Sequence, residues 1–157
     1  MRVNDFFVAV AQTTRPKLPE RYRQFNARSR FTFAQFYFAR PSLHYEVWVR
    51  GKEKLIEVGL HFEADRATNA ELLDYMLERI FEIKDALGDQ VEAEQWTSSW
   101  TRVHELVPYQ NLDDGTVKKI AERLALAIRT LQPLLEQSPR YRAPRRRATG
   151  KRAKAGT

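Results

Sequence analysis

The residues of this sequence best suited to chemistry are two His-x-Glu pairs, His44 with Glu46 and His61 with Glu63. On a β-strand the two members of each pair point to the same face, because side chains alternate with a period of two. Imidazole nitrogens and carboxylate oxygens gathered in this way could hold zinc, manganese or iron, and could supply a general base. A metal-dependent hydrolase is therefore one functional hypothesis.

An ordinary polar sheet face is the competing interpretation of these four residues. One face of an antiparallel sheet commonly contacts solvent, and His and Glu are normal occupants of such a face. The spacing matches no established metal-site motif. The phosphate-binding glycine loops, the serine nucleophile elbow, the zinc-protease motif and the calcium loop are also missing from the sequence. We therefore predict no metal ion, no cofactor and no catalytic residue.

The strands that would carry the two pairs are predicted by alternating apolar and polar residues. The alternation runs through residues 43–50 and again through residues 55–63. Two such segments on either side of a short connection that contains glycine indicate a β-hairpin. The hairpin brings the two His-x-Glu pairs onto neighbouring strands.

The register of the hairpin follows from charge. A two-residue turn would set Glu46 opposite Glu57, and two like charges in direct opposition destabilise a sheet. A four-residue loop over 51–54 avoids this contact and sets Trp48 opposite Glu57. The same register places His44 opposite His61, which is the pairing that a shared metal site would need.

Helical periodicity surrounds the hairpin. Apolar residues recur with helical spacing over about 68–87 and about 114–136, and a short helix is predicted near the N-terminus. A further strand is predicted near 101–107. This order predicts an α+β fold with two layers, in which an antiparallel sheet has helices packed on one face and its polar face free.

The ends of the two long helices have their own sequence signals. Thr68 followed by Glu71 is a capping-box pattern and predicts the start of the first helix. Asp113 or Asp114 is suited to begin the second helix. Pro133 is expected to kink that helix or to end its regular part, since proline lacks the backbone N–H.

Size and composition indicate one domain, predicted over residues 1–137. The chain has 157 residues, of which 43% are hydrophobic, and it contains no cysteine. The lack of cysteine excludes disulfides, thiolate metal sites and a cysteine nucleophile, and it favours a reducing compartment. No apolar run approaches the roughly 18 residues of a membrane span, so we expect no membrane span and a cytoplasmic protein.

Positive charge is concentrated at both ends of the chain. The net charge is +7 over residues 1–54, −8 over residues 55–138 and +8 over residues 139–157. Residues 138–157 are predicted to form a disordered basic tail, because they offer too little apolar surface to offset the entropy lost on ordering. Such a tail commonly contacts a polyanion.

Residues 21–40 interleave arginine with aromatic side chains and contain no acidic residue. Arginine on phosphate with an aromatic ring on a base is how single-stranded nucleic acid is bound, whereas core packing is the alternative role of the aromatic residues. We predict a non-enzymatic, nucleic-acid-associated binding module that uses these cationic residues: Arg21, Arg23, Arg28, Arg30, Arg140, Arg142, Arg145, Arg146, Arg147, Lys151, Arg152 and Lys154. A protein-interaction or self-assembly module, in which the tail meets the acidic middle block of a partner or of a second copy, is the alternative.

A family resemblance covers about residues 45–135 and depends on hydrophobic spacing with a few polar positions. The residues that carry it are Asn69 to Leu77, Ile83, Leu87, Gly88, Trp96, Arg102, Val103, Leu131, Gln132 and Pro133. In these positions the sequence resembles an uncharacterised bacterial domain that is sometimes attached to restriction-endonuclease-like modules. The resemblance implies a nucleic-acid or defence setting, and it supplies no catalytic residues.

Overall fold

The computed structural model describes residues 1–142, which form five helices and six strands. In chain order the elements are α1 (Val3–Thr14), β1 (Asn26–Arg30), β2 (Phe33–Tyr37), β3 (Leu43–Arg50), β4 (Leu55–Phe62), α2 (Arg66–Leu77), α3 (Ile80–Leu87), β5 (Glu92–Gln95), β6 (Thr101–Pro108), α4 (Asp114–Gln137) and α5 (Pro139–Arg142). Two turns of 3₁₀ helix connect α1 to β1.

The strands form one antiparallel sheet in the order β1-β2-β3-β4-β6-β5. Helix α4 packs on β3 and β4, α2 packs on β4, β5 and β6, and α1 packs on α4. The core lies between these helices and the apolar face of the sheet, where Tyr45, Ile56 and Leu60 are fully buried. The predicted α+β architecture, with a helical layer on an antiparallel sheet and a short N-terminal helix, is confirmed.

The register predicted for the central hairpin is also confirmed. His44 pairs with His61 and Trp48 pairs with Glu57, across a loop of four residues between β3 and β4. Because both strands alternate between apolar and polar side chains, this register sends most of the apolar ones to the helices, with Trp48 and Leu55 on the opposite face. It sends both His-x-Glu pairs to the opposite face.

The single helix predicted over 68–87 is wrong, since α2 and α3 are separate helices with a break at Glu78 and Arg79. The break redirects the chain, so that α2 packs on the sheet whereas α3 packs on α4. The predicted start at Thr68 is also wrong. Asp65 caps α2 instead, because its carboxylate accepts a hydrogen bond of 3.1 Å from the Thr68 backbone N–H.

Helix α4 begins as the sequence indicates, with the Asp113 carboxylate accepting a hydrogen bond of 2.9 Å from the Thr116 backbone N–H. Pro133 does not end the helix, which continues to Gln137. The buried side chains of Leu134 and Leu135 hold this last turn on the core. Tertiary packing therefore compensates for the hydrogen bond that proline cannot donate.

The structured part of the chain extends beyond the boundary predicted at residue 137. Ser138 is buried and lies between α4 and the short helix α5, in which Tyr141 packs against the core. The Arg140 guanidinium pairs with the Glu71 carboxylate on α2. Assigning residues 138–142 to the tail was therefore wrong, and residues 143–157 lie outside the described residues. Within residues 1–142, no helix is both long enough and apolar enough to cross a membrane.

Candidate metal centre

The central part of the polar face, over β3, β4 and β6, is not free, contrary to the sequence-based expectation. His44, Glu57 and His61, whose side chains all point to this face, are 1%, 0% and 0% exposed. The Trp96 ring packs edge-on against the His61 ring with the two centroids 5.6 Å apart, and the Arg102 guanidinium lies 4.9 Å from the Trp96 centroid. A buried polar layer must satisfy its charges internally, so its chemistry is constrained much more than that of a solvated face.

The four candidate ligands identified in the sequence converge on one point. His44, Glu46, His61 and Glu63 each offer one nitrogen or oxygen atom, and these four atoms lie within 4.8 Å of one another. His44 Nε2 is 3.4 Å from Glu46 Oε1 and 3.6 Å from Glu63 Oε2. His61 Nδ1 is 3.2 Å from Glu63 Oε2 and 3.7 Å from Glu46 Oε2.

These nitrogen–oxygen distances have the size expected of a metal-ligand shell. Ligands at about 2.0–2.1 Å from a tetrahedral zinc ion lie about 3.3–3.4 Å from one another. Four nitrogen–oxygen distances among His44, Glu46, His61 and Glu63, between 3.2 and 3.7 Å, are close to this spacing. All four ligand atoms lie within 4.8 Å of one another, so an ion between them would draw them closer together.

The tautomer of His44 is fixed by its contact with the backbone. Its Nδ1 lies 2.8 Å from the Pro41 carbonyl oxygen, and since a carbonyl can only accept, Nδ1 carries the proton and donates. In the neutral ring, Nε2 is then left with a lone pair. Within the described part of the chain this buried Nε2 has no hydrogen-bond partner, and it points at Glu46 and Glu63.

His61 is oriented by the carboxylate of Glu57, which is not one of the four candidate ligands. Its Nε2 lies 2.8 Å from Glu57 Oε1, so this nitrogen donates and the ring presents Nδ1 to Glu46 and Glu63. A histidine ligand held from behind by a carboxylate or a backbone carbonyl is the usual outer-shell arrangement of protein metal sites. Both histidines have such a partner here.

The charges of Glu57 and His61 are strongly coupled. Burial alone would raise the pKa of the Glu57 carboxyl, but its hydrogen bond from His61 and the nearby charges of His61, Arg102 and His104 lower it instead. Burial alone would lower the pKa of His61, but its hydrogen bonds to Glu57 and Glu63 and the charge of Glu46 raise it to about 9. A proton on His61 therefore occupies the nitrogen that an ion would take.

Neighbouring polar residues complete a network around Glu57. The Arg102 guanidinium donates to both Glu57 oxygens at 3.3 Å and to Glu94 Oε1 at 3.0 Å. His104 Nε2 lies 2.7 Å from the same Glu94 oxygen. Arg102 and His104 therefore lie on the same face of the sheet as Glu57. Glu57 has Arg102 as a partner, whereas Glu46 and Glu63 form ion pairs only with histidines and have no arginine or lysine partner within residues 1–142.

Glycine at position 59 keeps this layer closely packed. Gly59 pairs with Glu46 on one side and with His104 on the other. A Cβ atom at this position would lie 2.5 Å from the His104 Cβ and 2.6 Å from the Val103 carbonyl oxygen. Any side chain here would push β6 away from β4 and open the network around Glu57.

The arginines predicted to bind nucleic acid are placed in different surroundings. Arg28 and Arg30 lie on the exposed edge strand β1. Arg21 and Arg23 precede β1 in the chain. The Arg21 guanidinium lies 4.5 Å from the Tyr22 ring centroid, and the Arg23 Nε donates to the Leu18 carbonyl at 2.8 Å. Arg140 pairs with Glu71. The remaining predicted contacts belong to the chain's last segment: only the backbone of Arg142 is described, and Arg145, Arg146, Arg147, Lys151, Arg152 and Lys154 lie outside the described residues.

Two functional side chains were not singled out from the sequence. Glu57 could have been identified from its spacing, because it lies four residues before His61 on the same strand and therefore on the same face. Gln35 has no comparable signal, since it becomes a neighbour of Glu46 only through the pairing of β2 with β3.

Searches of protein-family models, curated proteins and solved structures find no match to this chain. The resemblance to a bacterial domain therefore stays a prediction.

Proposed function

We propose that this protein binds one divalent transition-metal ion through His44, Glu46, His61 and Glu63, and that zinc fits the site best. The observation that carries the proposal is the position of His44 Nε2, which is buried, makes no hydrogen bond within the described chain, and faces the carboxylates of Glu46 and Glu63. A buried polar atom without a partner costs free energy. Two carboxylates and the Nδ1 atom of His61 surround the point at which it is directed.

Charge balance supports a divalent ion. With both histidines neutral, Glu46 and Glu63 contribute two negative charges to a buried site, and one divalent cation makes the site neutral. Two nitrogen and two oxygen donors suit zinc, iron or manganese. The distances between them suit tetrahedral zinc. The ion would displace the His61 proton, because ligands must be deprotonated to bind metal.

Zinc binding is tested by isothermal titration calorimetry on the full chain, purified without an affinity tag and stripped with a chelator. We expect one zinc ion per chain. At about 100 times the dissociation constant, zinc should stabilise the fold by about 2.7 kcal/mol. The variants His44→Gln and Glu63→Gln should each weaken binding about 100-fold or more, since each removes one of four ligands.

The matched control for the glutamate variant is Glu92→Gln. Glu92 is exposed on the sheet edge and pairs with Lys84 at 3.2 Å, away from the four donors. Its zinc affinity should equal that of the unmodified chain. Zinc affinity that is the same in Glu63→Gln and in Glu92→Gln would overturn the proposed site, as would a stripped chain that takes up no ion.

A second candidate function is association with nucleic acid, and the exposed tip of the first hairpin favours it. Phe31, between β1 and β2, is 80% exposed, and the Arg30 guanidinium lies 5.2 Å from its ring centroid. An exposed aromatic ring beside a cation is suited to stack on an unpaired base. The basic residues after position 142 would add contacts to phosphates.

Truncation after Arg142 tests this second function, with binding of a labelled single-stranded oligonucleotide followed by fluorescence anisotropy between about 50 and 200 mM salt. The truncation removes six basic residues. Each lost phosphate contact should reduce the slope of log K against log salt by about 0.7. Phe31→Ala should weaken binding without changing that slope, because stacking is not ionic. An unchanged slope on truncation would contradict a role for the basic segment.

A further inference from the structure

A cavity of about 410 Å³ opens on the polar face beside the four donors, and its lining is basic and aromatic. Arg28, Arg30, Phe33 and Gln35 line it, together with Ser29. Its volume lies within the range of about 300–1,000 Å³ that is typical of small-molecule sites. This cavity belongs to the outer hairpin β1–β2, so it is separate from the shell of His44, Glu46, His61 and Glu63.

A row of hydrogen bonds connects the cavity to the candidate metal centre. Arg28, Gln35 and Glu46 are direct neighbours across three adjacent strands. The Arg28 Nε donates to Gln35 Oε1 at 2.7 Å, and the Gln35 Nε2 donates to Glu46 Oε1 at 3.4 Å. Two strand spacings separate Arg28 from Glu46, which is about 10 Å across the sheet. A ligand in the cavity therefore lies within one side-chain length of the residues that would surround the proposed ion.

The two arginines of the cavity are not neutralised by the protein. Neither Arg28 nor Arg30 has a salt bridge to a carboxylate within residues 1–142. The Arg28 guanidinium lies 5.4 Å from the Tyr37 ring centroid and donates Nε to Gln35, and its two terminal nitrogens make no hydrogen bond within residues 1–142. Guanidinium groups in this state bind phosphate oxygens with charge-assisted hydrogen bonds.

The aromatic lining indicates what the phosphate would be attached to. Phe33 lies opposite Arg30 in the strand pair and lines the same cavity. An aromatic ring offers a face to a nucleobase, and stacking of this kind tolerates any base. Phosphate on Arg28 and Arg30 with a base on Phe33 is a complete set of contacts for a nucleotide.

We propose that this cavity is a nucleotide site in which Arg28 and Arg30 bind the phosphate, Phe33 contacts the base, and Gln35 links the ligand to the metal centre. The inference rests on the proposed function, since Glu46 and Glu63 repel an anion unless a divalent ion neutralises them. Zinc and the nucleotide therefore strengthen each other's binding. By thermodynamic linkage, each raises the affinity of the other by the same factor.

The test is calorimetric titration of the full chain with adenosine 5′-monophosphate, with inorganic phosphate and with adenosine, each in the presence and in the absence of zinc. Adenosine 5′-monophosphate should bind more tightly than either fragment, and more tightly with zinc than without. Arg28→Ala should weaken its binding about 10- to 100-fold, the effect of losing a charge-assisted pair. Arg21→Ala is the matched control and should bind normally, because Arg21 lies on the turn beside Tyr22.

Separate outcomes distinguish this inference from the proposed function. Zinc affinity measured alone should fall far less in Arg28→Ala than in Glu63→Gln, because Arg28 reaches the ligand Glu46 only through Gln35. If zinc binds and the nucleotide does not, or if inorganic phosphate binds as tightly as the nucleotide, the nucleotide site is overturned and the metal site stands. Nucleotide binding that depends on Arg28 in a chain without zinc affinity would support the cavity and overturn the metal site.

One more titration identifies the source of the nucleotide. A single-stranded oligonucleotide that competes with adenosine 5′-monophosphate, and loses affinity in Arg28→Ala, identifies the occupant as a nucleotide of nucleic acid. An oligonucleotide that does not compete identifies it as a free nucleotide. Both results support the site, and they differ only in the ligand that it takes.

Discussion

Replacement of Glu57 by Gln is expected to lower the free energy of unfolding by about 3–5 kcal/mol, because it leaves buried cationic partners without their counter-charge. Glu57 is fully buried, and its carboxylate contacts His61 at 2.8 Å, Arg102 at 3.3 Å and His104 at 3.4 Å. Glutamine keeps the shape of the side chain but cannot balance Arg102. Urea unfolding of the zinc-free chain measures the loss.

The same variant separates the orienting role of Glu57 from its contribution to stability. Glu57 holds His61 from behind, and loss of such a partner usually weakens metal binding about 10- to 100-fold. Zinc titration of Glu57→Gln under conditions in which it remains folded measures this effect. Glu92→Gln again serves as the control, with unfolding free energy within about 0.5 kcal/mol of the unmodified chain. Equal stability of the two variants would show that the buried network does not depend on this charge.

Replacement of Arg123 by Met is expected to cost about 3 kcal/mol of stability, at the low end of the range for a broken buried ion pair, since Arg123 is partly exposed. Glu105 lies on the helix-facing side of β6, between Val103 and Val107, and is 7% exposed. Arg123 of α4 donates to its two carboxylate oxygens at 2.8 and 2.6 Å. Arg123 also donates to the Leu87 carbonyl at the end of α3.

Methionine was chosen for this test because it keeps most of the apolar stem of arginine, so that the lost contacts are mainly polar. Urea unfolding of Arg123→Met, of Glu105→Gln and of the double variant forms a double-mutant cycle. The double variant should recover much of the stability lost in Arg123→Met, since no carboxylate is then buried alone. Additive losses would show that the pair does not interact. Neither variant touches the polar face, so zinc affinity should be unchanged.

The fold was predictable where the sequence contains local rules. The hairpin register followed from avoiding Glu46 opposite Glu57, and the α4 cap followed from the acidic residues that precede an apolar stripe. Strand β5 was not predicted, because it is a four-residue edge strand in which Ala93 is the only apolar residue. The break between α2 and α3 was missed as well, since it depends on which neighbour each helix packs against.

The four donors of the candidate site were also identifiable from the sequence, because residues two apart on a strand share a face. The burial of that face could not be predicted from the sequence. Alternation predicts which side chains point away from the helices, but it does not predict that Trp96 and the β5–β6 side chains cover them. A polar face becomes a buried one through contacts between residues far apart in sequence, such as Glu57 with Arg102.

Three of the four donors of the proposed metal site lie in the hairpin β3–β4, and the fourth, Glu63, directly follows it. Closing a loop this short costs little entropy, and hairpins form within about 1–10 μs. The proposed ion would take all its ligands from this hairpin and the residue directly after it, and none from α4 or β6, which follow later in the chain. During synthesis all four ligands would leave the ribosome before Trp96 and Arg102, so the residues that cover the site are the last part of it to arrive.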